Sequence, residues 1–155
     1  MNSIMRERAL PVAVVALCVW QASDLVVAWR HSPLDRLGWL ALLLWALPAG
    51  WALFSPAVSQ PSPLVFPLLA ILLVIAGGLL DLNALRCFGL AFALAAFPAL
   101  SLRQGVWLAS AVGWMPVLGW LGRDLPAGAI TLLRLLLPVL GSGWWFLGLR
   151  KIQSA

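Results

Sequence analysis

Long apolar runs separated by short polar breaks set the pattern of this chain. The runs cover residues 9–29, 37–54, 64–80, 84–102, 105–122 and 125–149. Between them lie Arg30-His31-Ser32-Pro33-Leu34-Asp35-Arg36, the uncharged stretch 55–63 with three prolines, Asp81-Leu82-Asn83, Arg103-Gln104 and Arg123-Asp124. A bilayer core about 30 Å thick needs roughly 20 helical residues to cross it, and each run is close to that length. Barrel strands alternate apolar and polar over about ten residues, which these runs do not do. The pattern therefore predicts an all-α fold. It is a polytopic transmembrane helix bundle of about six membrane segments, making one integral membrane domain over 1–155. The tight breaks at 81–83 and 103–104 predict antiparallel hairpins. If one pair is re-entrant, the number of full crossings falls to five or four.

Composition strengthens this reading. Hydrophobic residues make up 63% of the 155 residues, charged residues only 10%, and the mean hydropathy is +1.01. A soluble domain carries about 25% charged residues, because its surface meets water. The net charge of +5 comes from bases scattered singly or in pairs. No basic patch is interleaved with aromatics, so nucleic-acid binding is not expected. The expected partners are the lipid bilayer and another membrane protein or a second copy of the chain. The first run has a basic flank, as a signal peptide does, but Gln21-Ala22-Ser23-Asp24 is a poor cleavage site and an uncleaved helix is expected.

Each run carries proline, at Pro11, Pro48, Pro67, Pro98, Pro116 and Pro138. Pro11 and Pro67 fall in expected first turns, where proline costs little. Pro48, Pro116 and Pro138 fall mid-run and predict kinks. The small pairs Ala46/Gly50 and Ala91/Ala95 are spaced for close helix approach. Many of the ten tryptophans, among them Trp29, Trp39, Trp51, Trp107 and Trp120, stand near run ends, as interfacial anchors do. With six spans and both termini cytoplasmic, the inner face holds Arg6, Arg8, Arg103, Arg150 and Lys151. The outer face holds Arg30, Arg36, Arg86 and Arg123. That small excess of inner bases favours cytoplasmic termini.

Polar groups inside apolar runs are the candidates for function. Arg134 lies within the last run. Two readings stand open for it: inward, paired with Asp24, Asp81 or Asp124 or with freed carbonyls, or snorkelling to an interface. Pro138 cannot donate to the carbonyl of Arg134, which leaves that oxygen free. Cys18, Gln21 and Asp24 recur every three residues and predict a polar stripe facing the bundle, either a polar site or a hydrogen-bonded seam. Asp81 and Arg86 flank a turn and can pair across it as solvated charges, and Arg123 and Asp124 form another exposed set. A nucleophilic Cys87 beside Arg86 would need a base. His31 is the only histidine, and no catalytic or cofactor motif is present. Catalysis, cofactors and metals are thus not expected.

The run Asp24-Leu25, Trp29, Ser32-Pro33 and Gly38 resembles the N-terminal region of the exosortase/archaeosortase family, with Leu37 where that family usually has histidine. Residues 81–86 and 115–120 look like its third-to-fourth helix junction and its proline-bearing fifth helix. The resemblance covers the N-terminal half of a family member. The family's catalytic cysteine lies in an Ala-Cys-Ser-Gly-like motif farther along, and neither Cys18 nor Cys87 has that context. It implies a non-catalytic relative in a bacterial inner membrane, accessory to envelope protein sorting or exopolysaccharide assembly. The alternative is a small transporter or channel subunit with a polar site around Arg134 and Asp24.

Overall fold

The computed structural model describes the backbone of residues 3–54, 64–95 and 102–153, and the side chains of 11–51, 64–95 and 102–148. The proline-rich stretch 55–63 and Pro98 lie outside the described residues. Every regular element described is helical: α1 (Ser3–Gln21), α2 (Asp24–His31), α3 (Gly38–Phe54), α4 (Val65–Leu79), α5 (Asn83–Ala95), α6 (Leu102–Ala109), a 3₁₀ turn (Ser110–Gly113), α7 (Val117–Leu121) and α8 (Ala127–Gln153).

The segment Ala127–Gly148 of α8 is long and apolar enough to cross a membrane. Pro11–Gln21 with Asp24–His31 passes the same test as a pair bent by 45°. The first run is therefore not one straight helix, because the chain turns at Ala22-Ser23. Since α1 begins at Ser3, Pro11 sits in its interior rather than in its first turn. The fifth run departs further from expectation. It divides into α6, the 3₁₀ turn, the bend at Trp114–Pro116 and α7. Pro116 opens α7 and does not kink a continuous helix. Pro48 and Pro138 do lie inside helices, in α3 and α8.

The α4–α5 hairpin closes through a Schellman-type ending. Leu82 N–H reaches the Gly77 carbonyl at 3.0 Å, and Asp81 takes the left-handed conformation at φ 53°, a region aspartate tolerates better than most residues. The hairpin packs with α1, and α5 is buried on most sides, Ala91 and Ala95 completely. Gly50, by contrast, faces open space and brings no helix close.

A second group forms from α3, α6, the 3₁₀ turn and α8. Residues 102–122 run antiparallel to α8. Arg103 lies on Gly148, Ser110 on Gly141, Gly113 on Pro138 and Gly122 on Ile130. At Gly113 an added Cβ would stand 2.5 Å from Pro138 Cδ and 3.0 Å from the Arg134 carbonyl oxygen. Only glycine admits that approach. Gln104 donates to the Ala95 carbonyl at 2.8 Å and joins the two groups.

Candidate functional site

The centre of the second group is a tryptophan pair. Trp45 on α3 and Trp107 on α6 stack with centroids 4.3 Å apart and planes 6° from parallel. Each indole donates to the other's backbone carbonyl, at 2.7 and 2.8 Å. Helix irregularities lie beside both acceptors. Pro48 has no N–H for the Leu44 carbonyl, and the Ser142 hydroxyl of α8 donates to that oxygen at 3.0 Å. The change from α6 to the 3₁₀ turn opens the Trp107 carbonyl, which also accepts from Ser110 Oγ at 2.6 Å. Trp114 and Trp145 pack around the pair. Trp107 is therefore a core residue and not an interfacial anchor. Trp39, Trp51 and Trp120 are exposed, as anchors must be.

Arg134 lies on the same buried face of α8, with none of its surface exposed. Its Nε–H donates to the Leu34 carbonyl at 3.0 Å. Nη1 donates to the carbonyls of Gly113 at 3.2 Å and Met115 at 3.4 Å. Nη2 donates to Asp35 Oδ1. All three carbonyls belong to backbone outside α-helices, in the 32–37 loop and the 113–116 break, and that of Met115 also accepts the Leu118 N–H at 3.2 Å. A planar guanidinium presents several donors in a fixed fork and can hold this irregular backbone together. Gly119 lets the carboxylate in: an added Cβ there would stand 3.2 Å from Asp35 Oδ1.

The inward reading of Arg134 is thus the one the structure gives, but its acid is Asp35 and not Asp24, Asp81 or Asp124. Asp35 sits in a break that reads as a solvated turn. No feature of the sequence singles out Asp35, because the Asp24–Arg86 contact is seen only in the fold. Of the four aspartates, Asp24 and Asp81 meet Arg86, Asp124 follows Arg123, and Asp35 is left for Arg134.

Arg86 makes the second polar knot. Nη1 reaches Asp24 Oδ2 at 2.8 Å, Nη2 reaches Asp81 Oδ1 at 3.2 Å, and Nε reaches the Gly77 carbonyl at 3.3 Å. Its side chain is only 15% exposed, against 55% for Asp24 and 96% for Asp81. Arg86 is therefore not the solvated charge its place beside a turn predicts. It clamps the hairpin ending to the start of α2. The expected stripe fades outward along the chain: Cys18 is buried, Gln21 is half-buried and Asp24 is exposed. Cys87 is buried in the apolar core. Arg123 and Asp124 stand 3.9 Å apart, both well exposed, as expected of a solvated pair.

The two aspartates of Arg86 are expected to differ in weight. Asp24→Asn should lower the unfolding midpoint in a detergent titration by the equivalent of about 1 kcal/mol. Asp81→Asn should stay within about 0.5 kcal/mol of wild type, because a fully solvated partner adds little. Equal losses would contradict the clamp.

Chemically, the arrangement ties elements together and offers little for catalysis. Four protein acceptors occupy Arg134, and among the described residues no three His, Cys, Asp or Glu side chains gather as metal ligands. Comparison with known proteins gave no matching family model, no matching curated protein and no matching solved structure.

Proposed function

We propose that this chain is a multi-pass membrane protein with a sealed polar core, acting as a non-catalytic subunit of the exosortase-like kind in envelope protein sorting or exopolysaccharide assembly. The observation that carries the membrane reading is the inverted amphipathicity of α8. Its buried face holds Arg134, Pro138, Ser142 and Trp145, while Leu132, Leu136, Val139, Leu140, Trp144 and Leu147 stand exposed. A water-facing helix has the opposite distribution. The same holds for α3, which exposes Trp39, Leu43, Leu47 and Trp51, and for α4, which exposes Leu68, Leu72, Ile75 and Leu79. At 1.5 Å per residue, the 22 residues of Ala127–Gly148 span about 33 Å, matching a bilayer core.

In this reading the chain passes six times, through α1 with α2, α3, α4, α5, residues 102–121, and α8. The membrane is a bacterial inner membrane and both termini are cytoplasmic. The sealed state of Arg134 favours a subunit over the second reading, a transporter or channel with a polar path at Arg134 and Asp24. A path needs a water-accessible arginine, and this one is enclosed.

Alkaline carbonate extraction is expected to leave the chain in the membrane pellet, and phosphatase fusions after Arg36 and Arg123 should be active while a fusion after Gln153 is not. A chain that is freely soluble without detergent would overturn the membrane reading. Met115→Cys should resist a membrane-impermeant maleimide, and rapid labelling would replace the subunit by a transport path. Deletion of the gene should impair surface protein sorting or exopolysaccharide export, and unchanged export and sorting would remove the exosortase-like role.

A further inference from the structure

Charge is sorted along residues 24–37. Both carboxylates of this stretch are taken by arginines from elsewhere in the fold, Asp24 by Arg86 and Asp35 by Arg134. Its three basic residues, Arg30, His31 and Arg36, are all exposed. His31 is fixed at the end of α2, where Nδ1 donates to the Val27 carbonyl at 3.0 Å. Close contact of Gly119 with Leu34 and Asp35 brings α7 against this loop. Arg123, just beyond α7, therefore belongs to the same end of the molecule, and its neighbour Asp124 is held only loosely at 3.9 Å. Around these bases Trp39, Trp120, Leu121 and Leu125 are exposed.

We propose that this end, built from residues 30–39 and 120–125, is a docking surface for anionic phospholipid headgroups, an inference that rests on the membrane reading above. Arginine forks match phosphate oxygens. Exposed tryptophans settle at headgroup level, with their rings toward the acyl chains and the N–H toward water. A soluble anion would gain only the first of these. A lipid gains both, and the adjacent leucines cover the top of its tails. Because Asp35 is turned into Arg134, it does not compete for its neighbour Arg36, and Asp124 is the one carboxylate of this surface beside its bases.

The test uses the purified full chain in detergent with equal amounts of phosphatidylglycerol and phosphatidylcholine, and counts retained lipids by native mass spectrometry. Wild type is expected to keep phosphatidylglycerol in preference. Arg30→Gln/Arg36→Gln/Arg123→Gln should reduce that preference by fivefold or more, since each basic residue near an anionic surface adds about a fivefold gain. Asp124→Asn should raise it. A triple variant with the wild-type preference would overturn the proposal. So would displacement of the lipid by millimolar glycerol 3-phosphate, which would identify a free phosphate as the ligand. Failure of this inference leaves the chain in the carbonate pellet, whereas failure of the membrane reading releases it.

Discussion

Arg134→Leu is expected to lower the stability of the folded chain by about 3–5 kcal/mol, the range for removing one partner of a buried ion pair. The loss has two sources. Asp35 keeps its place in the core without a counter-charge, and the carbonyls of Leu34 and Gly113 lose the Arg134 donor, while that of Met115 keeps the Leu118 N–H. Insertion should move the other way. An arginine near the centre of a span costs about 2.5–3.5 kcal/mol on insertion scales, so the leucine variant should reach the membrane at least as well as wild type. The paired readout is the amount of chain integrated in membranes against the midpoint of unfolding in mixed micelles. Arg134→Lys should fall between, because an ammonium keeps the charge but cannot fork to four acceptors. Asp35→Asn should cost less than Arg134→Leu, since the carbonyl contacts survive. A leucine variant as stable as wild type would mean that Arg134 ties nothing.

The second large effect is expected at the stacked tryptophans. Trp45→Ala and Trp107→Ala should each destabilise by about 3–5 kcal/mol, from lost burial and the cavity left behind. Trp107→Phe isolates the hydrogen bond. It keeps a ring against Trp45 but removes the N–H to the Trp45 carbonyl, at a cost of about 1–3 kcal/mol. Ser142 Oγ, 3.4 Å from that oxygen, should hold the loss toward the lower end. Parallel indoles 4.3 Å apart couple their transitions, so wild type should show an exciton signal in the far-ultraviolet circular dichroism that each single variant reduces, the remainder coming from the Trp45–Trp114 or Trp107–Trp145 contact. The double alanine variant should lose less than the two single losses added, because one interaction is removed twice. Strict additivity would rule out the pair as a unit.

Helix location was legible where an apolar run is long, uncharged and bounded by polar breaks. The runs 37–54 and 64–80 end within a residue of α3 and α4. An inward Arg134 was one of two readings the sequence left open, since a charge in a long apolar run needs either a partner or an interface. Its partner was not legible. Asp35 lies 99 residues away in a stretch rich in polar residues, and a single sequence carries no record of distance in space. The break at 110–116 escaped because Ala-Val-Gly-Trp-Met-Pro is as apolar as a span. Its only marks were Gly113 and Pro116, and proline within a run reads equally well as a kink. Trp107 was misplaced because proximity to a run end says nothing about which face of the helix meets a neighbour. No catalytic motif spoke for function, and the resemblance to exosortases rests on short stretches in biased composition.

The guanidinium that anchors the irregular half of the fold is delivered late by the ribosome. Leu34 and Asp35 emerge about a hundred residues before Arg134, and Gly113 and Met115 about twenty before it. Until α8 arrives, Leu34, Asp35 and Gly113 lack the donors that Arg134 supplies. Closure of this half of the fold therefore waits for α8, and a chain halted before it presents the Asp35 carboxylate without its counter-charge.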